Sequence, residues 1–261
     1  YPGGTPSSST AQAPLITYTA SGIYNVSLTA SNATGSGSKT QTSYIKVNPS
    51  TATYNNIAYA ESFEGSPIPN ADWFVIDPDA NTTWQQTTSA SATGSKCIML
   101  QNFGNDPNQY DEIISPPINM TSISGPSFSF KVAYAMVSPT DNDQLEIFAT
   151  GDCGQTWSRR YLKNGASLAT TGTAFGSFVP NSAEWRTETV SIAPYTFSTY
   201  MIFKFKFTGG GGNNIYIDDV NIGALSGINE TANNTDLLTV YPNPAFGTAA
   251  ISFNLPSSQK V

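Results

Sequence analysis

The sequence predicts an all-β fold built of antiparallel sandwiches. Two observations carry this. Apolar residues recur with period two and no long segment follows the 3.6-residue period of a helix. Only 11% of the residues are charged, against a usual figure of about 25%, so Ser, Thr, Asn, Gln and Gly make the polar surface. Alternation is clearest at Met201, Phe203, Phe205 and Phe207, which line one face while Lys204 and Lys206 take the other. Phe128, Phe130, Val132, Tyr134 and Met136 oppose Ser127, Ser129 and Lys131 in the same way, and Leu145 and Ile147 oppose Gln144 and Glu146. Strands with one face on a core and one in water build antiparallel sandwiches.

Residues 1 to about 48 make the first unit. Tyr18, Tyr24, Val26, Leu28, Tyr44, Ile45 and Val47 fall on strand-like runs, with Gly22 and the cluster from Asn32 to Gly37 as turns. The segment Pro2-Gly3-Gly4-Thr5-Pro6, then Tyr18, Gly22-Ile23-Tyr24-Asn25-Val26-Ser27-Leu28 and Ser31-Asn32-Ala33-Thr34-Gly35, resembles the PKD domain. That family is an immunoglobulin-like sandwich that acts as a spacer in secreted enzymes and adhesins. Only its later strands are matched, so exposed strand edges are expected. Residues 49–56, rich in Ser, Thr, Asn and Pro, read as a linker.

The largest unit, 57–222, is long enough to bury its own core. Glu61-Ser62-Phe63-Glu64-Gly65, Trp73, Ile76-Asp77-Pro78-Asp79, Asp111-Glu112-Ile113-Ile114-Ser115-Pro116-Pro117, Asp152-Cys153-Gly154-Gln155-Thr156-Trp157 and Ile215-Tyr216-Ile217-Asp218-Asp219-Val220 follow in order. Together they resemble the MAM-like jelly-roll modules of the gingipain cleaved-adhesin family. A polar linker, 223–236, leads to a last segment, 237–261, where Leu237 to Tyr241 is strand-like and the β pattern resumes at Ile251, Phe253 and Leu255. Between them, Tyr241-Pro242-Asn243-Pro244 resembles the start of the C-terminal sorting domain by which Bacteroidetes export proteins through the type IX secretion system. Together the resemblances imply a partial immunoglobulin-like sandwich followed by a jelly-roll β-sandwich and a partial β-sandwich sorting tail, in a secreted or cell-surface-attached protein with the type IX machinery as a partner.

Composition removes whole classes of function. A length of 261 residues suits two or three domains, and the formal charge of −7 argues against a nucleic-acid partner, which needs clustered Lys and Arg. Histidine is absent, which eliminates His-based zinc sites, Ser-His-Asp and Cys-His arrangements, and imidazole acid–base chemistry. No Walker pattern occurs, and Gly209 to Gly212 reads as a loop. No window is apolar enough to span a bilayer. No signal peptide begins at Tyr1, so a mature C-terminal fragment is expected. In an exported chain the two cysteines, Cys97 and Cys153, are by default a disulfide.

The acidic residues carry the sharpest chemical expectation. With Ile215 and Ile217 facing inward, strict alternation turns Asp219 inward too, and an unpartnered carboxylate there is too costly to keep ionised. Asp219 must therefore sit at the rim, bulge outward or pair with a cation. Calcium suits the available oxygens, and the jelly-roll resemblance implies structural calcium. Glu64, Asp111 and Asp219 are the candidate ligands, joining the first, a middle and the last strand of the unit. Asp77 and Asp79, with Asn81, are the alternative, because their D-x-D-x-N spacing imitates the start of an EF-hand loop, although Thr82 and Thr88 replace its glycine and glutamate. Asp141-Asn142-Asp143 reads as a solvated hairpin loop. Trp73, Trp84, Trp157 and Trp185 are expected mainly to fill the core.

These readings make the chain a non-catalytic accessory region of a larger secreted protein, with no catalytic residue of its own. It would act as an adhesion or substrate-positioning module, with a protein or glycan ligand at the cell surface and a secretion signal. The cassette is similar to that following pappalysin-like zinc metallopeptidases. The alternatives are a carbohydrate-binding module of a secreted glycoside hydrolase and a stand-alone surface adhesin.

Overall fold

A computed structural model describes residues 1–55, 58–121, 123, 127–195, 197–223, 238–241 and 250–253. The strands begin with β1 (Gly4–Thr5), β2 (Thr17–Tyr18), β3 (Gly22–Asn32), β4 (Gly35–Val47), β5 (Tyr54–Asn55), β6 (Tyr59–Glu61) and β7 (Phe74–Ile76). There follow β8 (Gln85–Thr87), β9 (Cys97–Leu100), β10 (Tyr110–Ile114), β11 (Ile118–Asn119), β12 (Phe128–Tyr134), β13 (Gln144–Thr150) and β14 (Ser158–Asn164). After a one-turn helix, α1 (Gly165–Leu168), come β15 (Arg186–Val190), β16 (Ile202–Thr208), β17 (Ile215–Ile222), β18 (Leu238–Tyr241) and β19 (Ala250–Phe253). Contacts divide the chain into a unit over Tyr1–Leu225 and another over Ser226–Val261.

The all-β expectation holds. One sheet has five strands in the order β14-β13-β16-β10-β7, and the other has six, β15-β12-β17-β9-β8 with β6 also on β17. Alternation decides what lies between them. Phe203, Phe205 and Phe207 of β16 meet Phe128, Phe130, Val132 and Tyr134 of β12 in one buried core with Trp73, Trp84, Leu145 and Ile147. Phe128 sits 4.5 Å from Phe203 and 5.8 Å from Phe205 between ring centroids, and such pairs add about 0.5–1.5 kcal/mol each beyond the area they bury. Trp73 and Trp84 fill core as expected, whereas Trp157 and Trp185 are half-buried outside it.

The dilemma at Asp219 is resolved by a bulge. Lys131 pairs with Asp218 and Ser129 with Asn221, so β17 spends one residue more than β12 between these pairs. Asp219, at φ 47°, swings out to Lys131, whose Nζ lies 3.2 Å away. Val220 and Ile222 thereby regain the core face.

β3 and β4 form a two-stranded sheet. One face carries Ser and Thr pairs, with Ser27 Oγ and Thr40 Oγ1 2.8 Å apart and Thr29 Oγ1 and Ser38 Oγ 2.7 Å apart. The other carries Tyr24, stacked 4.5 Å from Tyr18, and an exposed Leu28. Beyond β4, the stretch read as a linker contains β5, which pairs with β11 in parallel.

Candidate functional site

The fold gathers Asp77, Asp79 and Asp111 and sends Glu64 and Asp219 elsewhere. In the antiparallel pairing of β10 with β7, Ile113 stands opposite Val75 and Glu112 opposite Ile76. One step further along that register, Asp111 falls opposite Asp77 on the inward face, and the Asp77-Pro78-Asp79 turn returns Asp79 to the same place. One carboxylate oxygen from each lies within 4.8 Å of the others. Asp77 Oδ1 accepts from the Ala80 amide at 2.7 Å, and Asp79 Oδ1 from the Asn81 amide at 3.3 Å. Asp111 is 4% exposed, and its buried carboxylate faces the buried hydroxyl of Thr83. Burial pushes the Asp111 carboxyl up to about 7; Thr83 pulls it part of the way back, and the charges of Asp77 and Asp79 push further upward. Asp77 is raised as well, burial first among the causes.

Glu64 and Asp219 instead hold the loop before β9 and are not gathered with Asp111 among the described residues. Glu64 Oε1 accepts from the amides of Ser95 and Lys96 at 2.8 Å each, and Oε2 from the Ser95 hydroxyl at 2.8 Å. Those bonds hold the Glu64 carboxyl below its ordinary range. Asp218, which the sequence reading passed over, is fully buried. Its Oδ2 accepts from the amides of Ala92 and Thr93 at 2.8 and 3.2 Å, and its Oδ1 from the Asp219 amide at 2.8 Å. Asp219 accepts from the Thr93 hydroxyl at 2.6 Å. The signal for Asp218 was present: the residue after an inward Ile217 must point to the other side of the sheet.

A third acidic residue departs from expectation. Asp143, read as part of a solvated loop, is fully buried. It accepts from the Tyr134 hydroxyl at 2.7 Å, the Asn102 side chain at 3.1 Å, the Gly212 amide at 3.1 Å and the Gly210 amide. The glycine run is what brings these amides close, since a Cβ at Gly212 would collide with both Asp143 and the Tyr134 hydroxyl.

The outer face of the five-stranded sheet has a different character. Cross-strand register puts Ile76, Glu112, Lys206 and Glu146 in one row and Phe74, Ile114, Lys204 and Phe148 in the next. Lys204 Nζ is 3.0 Å from Glu112 and lies 4.6 Å from the Trp157 ring centre and 5.2 Å from that of Phe148. Lys206 lies 4.2 Å over Tyr110, and Arg159 pairs with Glu146 at 2.9 Å. The end of β4 leans over this face: Lys46 Nζ donates to the Asp72 carbonyl at 2.7 Å and sits 5.8 Å over Phe74. Between the two runs a groove of about 340 Å³, lined by Tyr44, Lys46, Phe74, Ile76, Ile114 and Trp157 among others.

The disulfide is also corrected, since both thiols are free. Cys97 is on β9, buried with Tyr216 and Phe178 on the outer side of the six-stranded sheet, and burial raises its thiol pKa. Cys153 occupies the exposed turn after β13, a strand of the other sheet. In the second unit, β18, which ends at Tyr241, pairs antiparallel with β19; Pro242, Asn243 and Pro244 lie outside the described residues. No helix among the described residues is long and apolar enough to cross a membrane.

No protein-family model matches the chain, and no curated protein matches it. Among solved structures, it is similar to the K1 cleaved adhesin domain of Lys-gingipain from Porphyromonas gingivalis W83, at 20% identity and a TM-score of 0.47 over 64% of this chain and 98% of that one. A second is CBM27-1 of Caldicellulosiruptor saccharolyticus in complex with mannohexaose, at 13% identity and a TM-score of 0.44 over 64% and 97%. A third is TmCBM61 in complex with β-1,4-galactotriose, at 12% identity and a TM-score of 0.38 over 57% and 86%.

Proposed function

We propose that this chain is a non-catalytic binding region of a secreted or surface-attached protein, and that its ligand lies along the outer face of the five-stranded sheet. The supporting observation is the groove between β4 and that sheet, where rings and paired charges share a rigid wall. Rings give contact area at little entropic cost, while Lys and Glu side chains give direction. A protein ligand is favoured over a glycan because the ring faces are already taken: Lys204 covers Trp157 and Lys206 covers Tyr110. A sugar stacking there has to displace a cation–π contact of about 0.5–1 kcal/mol.

Adhesion or substrate positioning beside a pappalysin-like zinc metallopeptidase, with delivery by the type IX machinery, completes this reading. It is supported by the Tyr241 to Pro244 motif and by the order of motifs in 57–222. The test is binding of the whole chain to panels of immobilised surface proteins and polysaccharides, with Trp157→Ala and Lys204→Ala alongside. Protein binding weakened at least tenfold by both is expected. Saturable polysaccharide binding that Lys204→Ala strengthens, by uncovering the ring, would replace the protein reading with a glycan one.

A further inference from the structure

The loop joining β6 to β7 encloses a recess of about 320 Å³, with Phe63, Ile68 and Trp73 on its apolar side and the carboxylates of Glu61 and Asp72 on its polar one. The three apolar side chains are buried, whereas Glu61 and Asp72 are half-buried. The wall is laced in place: Asn70 Oδ1 accepts from the Asp72 and Trp73 amides at 2.9 and 2.8 Å, and the Asn70 amide donates to the Trp73 carbonyl at 2.9 Å. Glu61 Oε1 accepts from the Phe63 amide at 2.6 Å, and Asp72 Oδ2 from the Tyr54 hydroxyl at 2.9 Å. No hydrogen bond among the described residues occupies the second oxygen of either carboxylate, and no salt bridge among them reaches Glu61 or Asp72. The cation beside them, Lys46, donates to the main-chain carbonyl of Asp72 at 2.7 Å. Burial first, and then the charges of both acids, raise the Tyr54 and Tyr59 hydroxyls, so the two carboxylates act on one small region.

We propose that this recess takes the side chain of a lysine or arginine presented by a protein ligand, its stem against Phe63, Ile68 and Trp73 and its charged head between Glu61 and Asp72. The inference rests on the reading of this chain as a protein-binding region and adds an anchor to it. Lysine and arginine join an apolar stem to a cationic head, and the recess offers both matching surfaces. A bare metal ion leaves the apolar side unused. A sugar needs an open ring face, and Phe63 and Trp73 are only 2% and 1% exposed. Because the carboxylates are half-wet, little desolvation opposes the pairing, and salt should weaken it. The volume lies at the small end of the range for ligand pockets, about 300–1,000 Å³, as suits one side chain rather than a cofactor. The net charge of −7 favours the approach of a basic partner. Asp72 also ties the recess to the groove, since its carbonyl holds Lys46 and Lys46 lies over Phe74.

The test is titration of the whole chain, followed by nuclear magnetic resonance, with Nα-acetyl-arginine amide and Nα-acetyl-lysine amide. Nα-acetyl-citrulline amide, which keeps the shape and lacks the charge, is the control. Saturable millimolar binding of at least one cationic amide is expected, with shifts at the Phe63 amide and the Trp73 indole proton, and citrulline should bind at least tenfold more weakly. Glu61→Gln and Asp72→Asn keep an oxygen for the Phe63 amide and the Tyr54 hydroxyl; each, checked as folded by near-ultraviolet dichroism, should weaken the cation at least tenfold. Asp106→Asn, which removes one exposed charge elsewhere, should leave binding unchanged. Absence of saturable shifts overturns the site, as does citrulline binding equal to arginine, or binding that survives both Glu61→Gln and Asp72→Asn. Weakening by Asp106→Asn as large as theirs also overturns it, by reducing the effect to general charge attraction. The protein reading fails separately: amide binding that is intact in a chain that captures no surface protein sinks that reading and keeps a cation-binding recess, whereas protein capture that is lost in Trp157→Ala but unaffected by Glu61→Gln and Asp72→Asn keeps the groove and sinks the anchor.

Discussion

On the six-stranded sheet the outward row Met99, Tyr216 and Ala133 disappears beneath the chain's own segment between α1 and β15. Phe178, Ala174 and Trp185 pack onto it to make a second apolar layer with Cys97 and Ala135. The outward row of the five-stranded sheet is instead Glu112, Lys206 and Glu146, finished with ion pairs and ring-stacked lysines. The first face is covered by backbone that is itself tied down: Asn213 Oδ1 accepts from the Phe178 amide at 2.8 Å, and the Tyr216 hydroxyl donates to the Phe178 carbonyl at 2.8 Å. Among the described residues, the second face has the end of β4 over one side. A covered apolar face contributes stability and presents its covering loop to solvent; a half-wet face of rings and charges contributes little stability and remains free to meet a partner.

Substitutions that strike the two faces should separate these roles. Phe178→Ala opens the covered face and removes a core ring, and is expected to cost about 3–4 kcal/mol in chemical denaturation with no loss of ligand affinity for the folded protein. A stability unchanged by that truncation would mean that the segment is not a cover. Next comes Asp143→Asn, which replaces an acceptor of four hydrogen bonds by a group with fewer lone pairs; a loss of about 2–3 kcal/mol is expected in the same assay. Trp157→Ala on the wet face should lower stability by only about 1 kcal/mol while weakening ligand binding at least tenfold.

The smallest effect concerns pH. Burial lowers Lys46 to about 8, the Asp72 charge partly opposing it. Since the folded value lies below the unfolded one, the cost of holding Lys46 charged is fully present below pH 8. It is relieved as pH rises from there towards the unfolded value of about 10.4. A shallow gain in melting temperature over that window, absent in Lys46→Met, is the expected outcome.

Local pattern carried much of the fold. Phe203, Phe205 and Phe207 face the core because a strand alternates, and the conflict at Asp219 was visible in the same alternation. What local pattern could not carry was register between distant strands. Asp77 and Asp79 stood out by spacing, but only the pairing of β10 with β7 reveals that Asp111 belongs with them rather than with Glu64. Asp141-Asn142-Asp143 has the composition of a wet turn; what buries Asp143 is the backbone of Gly210 and Gly212, far along the chain. Cysteine count likewise says nothing about which side of a sheet Cys97 faces.

The most direct measurement is the binding of the wild-type chain to an immobilised surface-protein panel, compared with Trp157→Ala in the groove and Phe175→Ala on the opposite cover. Phe175 is 84% exposed, so its truncation leaves the fold intact. Binding lost with Trp157→Ala and retained with Phe175→Ala is the predicted result; binding retained with the first and lost with the second would place the ligand on the other sheet and contradict the account.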